Sequence, residues 1–123
     1  MSDSASKSAT IADRRFTSAK TAAWETVGEG VRRQILGHGA DLMMVTVEFD
    51  AGAIGPMHRH PHRQVSYVVS GRFEIEIGGE RQVLGAGDSF YVAANLEHGA
   101  RALTAGTLVD VFTPARQDFL GTE

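Results

Sequence analysis

Apolar and polar residues alternate along much of this chain with the period of two that marks half-buried β-strands. In Phe73-Glu74-Ile75-Glu76-Ile77 apolar and acidic positions interleave strictly, which predicts one buried and one wet face. Within Leu42–Phe49, the residues Met43, Val45, Val47 and Phe49 share a face. Val31–Leu36, Val65–Val69, Glu80–Leu84, Ser89–Val92, His98–Leu103 and Thr107–Phe112 are further short β-prone runs. Between them fall Asp50-Ala51-Gly52, Ser70-Gly71 and Gly85-Ala86-Gly87-Asp88, which read as turns. Gly78-Gly79 predicts a two-residue hairpin, because glycine adopts the positive φ that such a turn needs. About nine short strands with no long helical period predict an all-β jelly-roll sandwich or barrel.

The first residues lack this period. Residues 1–22 are rich in Ser, Ala, Lys and Thr and read as a loosely ordered N-terminal arm, with a short helical turn near Ile11–Arg15. Residues 23–123 form the single domain that a chain of 123 residues leads one to expect. After Phe112, residues 113–120 read as irregular or as one helical turn.

Composition narrows the chemistry. With no cysteine, thiolate metal sites, a cysteine nucleophile and disulfides are excluded, which fits a reducing compartment. The net charge is -3 and the basic residues are scattered, so no nucleic-acid partner is expected. No apolar run approaches the ~20 residues of a membrane span, and the N-terminus has no apolar signal region. A cytoplasmic domain is the resulting expectation.

His58 and His60 lie two apart, so an extended segment presents both imidazoles on one face. With His98 from a distant segment and Gln64 through its amide oxygen, they make a candidate ligand set for a divalent transition metal. Taken alone, His58-x-His60 fits a polar turn about as well. His62, in Pro61-His62-Arg63, is expected at the surface or behind the ligands, and His38, between glycines, in an exposed turn.

Gly52-x5-His58-x-His60-x3-Gln64-x6-Gly71 resembles the first motif of the cupin family. Gly79-x5-Gly85-Ala86-Gly87-Asp88, followed by Asn95 and His98, resembles the second. Two positions depart from the pattern: Gln64 stands where Glu is usual, and Gly85 where Pro is usual. The resemblance covers roughly residues 31–113. It implies a single-domain cupin, a small barrel of two sheets with a metal inside its mouth, and frequent homodimers. With Gln64 all four ligands are neutral and the ion keeps its full charge, which favours an anionic substrate group.

A narrower likeness follows from His58-x-His60-Pro-His62-x-Gln64, Asn95-x-Glu97-His98-Gly99 and Asp110-Val111-Phe112-Thr113-Pro114-x-Arg116-x-Asp118-Phe119-Leu120. These stretches are similar to the KdgF-type pectin-degradation cupins. The likeness implies an enzyme that opens the ring of 4,5-unsaturated monouronates from pectin or alginate, giving linear 4-deoxy-5-keto uronates. It further implies that Asp110, Phe112 and Arg116 line the active site, about one divalent ion (Zn, Ni, Mn or Fe). Strand alternation independently places Leu108, Asp110 and Phe112 on one face. There Asp110 is a paired core carboxylate or an acid/base, Phe112 is core or an apolar wall for a sugar, and Arg116 is a solvated tail residue or a carboxylate clamp. A metal-dependent dioxygenase and a non-catalytic sugar- or metal-binding cupin are the alternatives.

Overall fold

The computed structural model describes residues 14–121. Among the described residues, ten strands follow one another along the chain: β1 (Trp24–Gly28), β2 (Val31–His38), β3 (Met43–Phe49), β4 (Ile54–His58), β5 (Arg63–Ser70), β6 (Arg72–Ile77), β7 (Glu80–Gly85), β8 (Ser89–Val92), β9 (His98–Ala102) and β10 (Gly106–Thr113). One helical turn, α1 (Gln117–Leu120), follows. The strands form two antiparallel sheets, a six-stranded one in the order β1-β2-β3-β10-β5-β8 and a four-stranded one in the order β4-β9-β6-β7. This is the jelly-roll sandwich that the strand periodicity predicts.

The two sheets enclose the core. Val31, Phe49, Val68, Phe73, Ile75, Ala102 and Leu108 form one buried cluster, with Phe49 and Phe73 packed edge to face. Met43, Val45, Phe112 and Ala115 form a second, against which Phe119 and Leu120 of the tail pack. On β3 the predicted face holds, since Met43, Val45 and Phe49 are buried while Met44 is exposed. Gly78 and Gly79 both take positive φ and join Ile77 to Glu80, as the hairpin requires. At the position where a Pro was usual, the Gly85 N–H donates to Asp88 Oδ2 at 2.8 Å, a bond that proline cannot make.

Two strands were not legible. β1 is an edge strand exposed at every residue, so it has no buried face to impose alternation. β4 contains Gly55 and Pro56 and pairs with β9 through a bulge between Gly55 and His58. β2 also runs further than expected, through a bulge to His38. His38 is half-buried, not exposed, and its Nδ1 donates to Leu36 O at 3.1 Å.

Of the N-terminal arm, residues 1–13 lie outside the described residues, and with them most of the helical turn expected at Ile11–Arg15. Arg14 and Arg15, within the described residues, are not helical. Residues 18–22 form a turn in which Ala22 N donates to Ser18 O at 3.0 Å. The buried Gln34 side chain donates to Ala19 O and Ala22 O at 2.7 and 3.1 Å, which ties this turn to β2.

Between β5 and β6 the chain turns against the start of β10. A Cβ on Gly71 would stand 2.6 Å from Ala105 O, and the residue has φ 85°, so both sterics and backbone demand glycine. Gly71→Ala is expected to cost about 2 kcal/mol or more. Gly85→Ala, where nothing lies within 4 Å, should stay within about 0.5 kcal/mol of the parent. Urea unfolding midpoints of the two variants check the difference.

Candidate metal and acid/base site

The two sheets contribute to one site. In the smaller sheet, β4 and β9 pair so that His58 lies opposite His98. His60 follows β4 in the crossover to the larger sheet, and Gln64 faces inward from β5. Ring centroids lie 4.3 Å apart for His58 and His98, 4.8 Å for His60 and His98, and 5.4 Å for His58 and His60. One ring nitrogen of each lies within 4.8 Å of the others, so the three can hold a metal ion.

Each imidazole is held by its Nδ1. His58 Nδ1 donates to Pro56 O at 2.8 Å, His60 Nδ1 to His62 O at 2.9 Å, and His98 Nδ1 to Leu96 O at 2.9 Å. A carbonyl oxygen only accepts, so Nδ1 is the donor in each ring and Nε2 is the atom left to ligate. Burial, reinforced by His58, His60 and Arg116, lowers His98 to about 4. His60 is lowered by burial and by Arg116. Both are therefore neutral near pH 7. His98 Nε2 is buried with no hydrogen-bond partner among the described residues. His60 Nε2 lies 3.0 Å from Gln64 Oε1. With the ring proton on Nδ1 these two atoms meet lone pair to lone pair, a contact that a shared cation makes favourable. The donor set fits a divalent ion.

From Gln64 a polar chain crosses the cavity wall. Gln64 Nε2 donates to Ser66 Oγ at 2.9 Å, and Ser66 Oγ donates to Asp110 Oδ1 at 2.6 Å. Ser66 is fully buried. Burial raises Asp110 to about 6, against the lowering pull of Ser66 and Arg116. A carboxyl with such a value exchanges protons readily near neutral pH.

Phe112 is 3% exposed and belongs to the second core cluster, yet it also walls the cavity. Its ring meets His60 edge-on, with centroids 5.7 Å apart. Arg116 is not a solvated tail residue. It is 9% exposed, lies over the rings of Phe119 and Phe112 at 4.1 and 4.9 Å, and makes a two-pronged pair with Asp118 through Nε at 3.1 Å and Nη2 at 2.8 Å. Asp118 thus takes the Nε and Nη2 donors on one side of the guanidinium. His62 stands behind the ligands: its carbonyl holds His60 and its ring packs on Phe112.

His58, Gln64, His98, Asp110, Phe112 and Arg116 all line one cavity of about 180 Å³ between the sheets. Arg33 and Phe119 also line it, and the Arg33 guanidinium sits 3.7 Å above the Phe119 ring. Sequence reasoning missed Arg33. Its signal was parity, since Arg33 shares a strand face with Val31 and Ile35 and therefore points inward. Ser66 was also missed. It shares the face of Gln64 on β5, and Val65-Ser66-Tyr67-Val68 drew attention to its apolar members instead.

Residues 45–112 match the cupin domain family. The chain is 43% identical over 109 residues to the pectin degradation protein KdgF of Dickeya dadantii, a match covering 87% of this chain and 99% of that one. It superposes on a solved RmlC-like cupin from Shewanella frigidimarina with a TM-score of 0.83, at 47% identity over 85% of this chain and 95% of that one. It superposes on KdgF from Halomonas sp. with a TM-score of 0.81, at 42% identity over 85% and 96% of the two chains. The fold, the histidine geometry and these likenesses agree, and this chain belongs to the cupin domain family, with KdgF proteins among its close relatives.

Proposed function

We propose that this protein is a metal-dependent enzyme of uronate breakdown. It opens the ring of 4,5-unsaturated monouronates derived from pectin or alginate, giving linear 4-deoxy-5-keto uronates. One observation carries the reading: His58 and His98 of the three-histidine cluster line one small cavity together with the half-buried Asp110, whose pKa is raised to about 6, in a chain 43% identical to a pectin degradation protein.

His58, His60, His98 and Gln64 would hold the ion with neutral donors, none of which adds charge. A bound divalent ion supplies Lewis acidity that stabilises negative charge on a substrate oxygen. Arg116 orients the uronate carboxylate. Phe112 and Phe119 flank the space left for the sugar. The reaction is an isomerisation. The anomeric hydroxyl loses its proton, C1=O forms, the bond from C1 to the ring oxygen breaks, and C4 gains a proton as C5 becomes a ketone. Asp110 takes the first proton or delivers the last, and its position near neutrality suits either task.

The same reading pairs two copies of the chain. On the outer face of the larger sheet, Met44, Val111, Val65 and Tyr91 form one cross-strand row. Met44, Val65, Tyr67, Val69 and Tyr91 are between 41% and 55% exposed, an apolar surface of the kind that a partner covers.

Four outcomes are expected. His98→Ala purifies without stoichiometric metal by elemental analysis and loses ring opening by about 100-fold or more, followed anaerobically as loss of ultraviolet absorbance. Metal binding retained in that variant would count against the site. Asp110→Asn keeps its metal and loses about 10²- to 10⁴-fold in kcat. It also tests linkage in the metal-free protein. A carboxyl raised from 3.8 to about 6 on folding stabilises fully below pH 3.8 and loses that contribution as pH rises through 6. Melting curves should therefore favour Asp110→Asn over the parent more at pH 8 than at pH 5. Finally, light scattering should report a dimer for the parent and a shift toward monomer for Tyr67→Glu; a monomeric parent sinks the pairing.

A further inference from the structure

Strand β5 buries polar side chains beside an apolar one. Val65, Tyr67 and Val69 are 48%, 50% and 47% exposed, while Gln64 and Ser66, 6% and 0% exposed, share the inward face with the buried Val68. A hydroxyl fully removed from water needs a reason, and here its two partners supply one. Ser66 lies opposite Asp110 in the ladder between β5 and β10, with Gln64 one inward position further along β5. Gln64, Ser66 and Asp110 therefore run in sequence from the histidine cluster to the half-buried carboxyl.

The direction of that chain is fixed. Ser66 has one proton and two partners. Gln64 Nε2 can only donate, so Ser66 accepts from it at 2.9 Å and must donate to Asp110 Oδ1 at 2.6 Å. Any proton that Asp110 carries then resides on Oδ2, for which no hydrogen bond is formed among the described residues. In the same arrangement Gln64 Oε1 faces His60 Nε2 at 3.0 Å. If the amide turned over, Oε1 would compete with Asp110 for the Ser66 proton and an N–H would face the histidines. A Glu at position 64, usual in the cupin pattern, has no donor for Ser66. Two carboxylates would then contend for one hydroxyl proton, and a second negative charge would stand near Asp110.

We infer that Ser66 is a positioning residue joining the two halves of the site. It holds the Gln64 amide with Oε1 toward the histidines and holds Asp110 Oδ1 so that Oδ2 faces the substrate. The amide at position 64 is thus required for its hydrogen-bond direction as well as for its neutrality. The kinetic part of this inference rests on the function proposed above, whereas the aim of the amide does not.

The test uses full-length protein loaded with Co(II): the parent, Ser66→Ala, Gln64→Glu and the double variant. Visible spectra report the metal surroundings, and kcat and KM are measured with an unsaturated monouronate. Ser66→Ala should shift the Co(II) bands and lower kcat about 10- to 100-fold, with KM within about threefold. Gln64→Glu should lose a comparable amount. The double variant should fall no further than the worse single one within about threefold, because both changes break one chain. Parental bands and kcat in Ser66→Ala, or single losses that multiply in the double variant, overturn the assignment. Ser66→Cys, which keeps the volume with a weak donor, is read the same way should Ser66→Ala not fold. If the parent opens no ring, the proposed function falls, and the spectra still decide the amide: shifted bands in Ser66→Ala uphold its aim, and unchanged bands overturn it.

Discussion

The pairing of β4 with β9 is the constraint on which the rest depends. Its register sets His58 opposite His98, from segments far apart in the chain. The bulge between Gly55 and His58 adjusts the strand just before the first histidine. Gly99, the residue after His98, sits so close to β4 that a Cβ there would stand 3.0 Å from Gly55 O and 2.7 Å from Met57 Sδ. A side chain at Gly99 would push the strands apart and with them the two imidazoles. Backbone packing thus fixes the site before any metal chemistry begins.

Onto that frame the carbonyls of Pro56, His62 and Leu96 impose one tautomer on three rings. Two of these acceptors precede their histidine by two residues and one follows by two, so the lock is local and follows from how the chain bends there. Because burial keeps His60 and His98 neutral, their lone pairs are available near neutral pH without competition from protons. The other sheet supplies a different environment. Asp110 is desolvated but near Arg116, and the balance leaves it able to exchange a proton. Neutral donors on one side and a poised carboxyl on the other divide the cavity into two chemical halves, and Gln64 and Ser66 connect them.

The C-terminal tail closes this arrangement. Phe119 lies between the guanidiniums of Arg33 and Arg116, at 3.7 and 4.1 Å. Arg33 is in turn paired with Glu25 of β1, and Arg116 with Asp118. A single aromatic ring therefore ties the tail to β2, and the cationic side of the cavity is held by packing as much as by charge. Here Arg116, which the sequence left as either a solvated tail residue or a carboxylate clamp, becomes part of the wall, because the one-turn helix folds back over β2 and β10.

Much of this was present in the one-dimensional pattern. Alternation specified the inner faces of β3, β6 and β10, glycine pairs specified the turns, and the inward parity of Leu108, Asp110 and Phe112 followed from a period of two. The spacing of His58, His60, Gln64 and His98 marked a candidate metal set, though not its geometry. What stayed hidden has a common cause. β1 and β4 owe their strand form to neighbours in their sheets, since neither has an apolar face of its own. Ser66 and Arg33 are ordinary polar residues until the opposing strand supplies Asp110 and the tail helix supplies Phe119. The sequence by itself determined which side chains point inward, because that depends on local periodicity. Only the tertiary structure decided which of them meet, because register between distant strands sets every contact across the cavity.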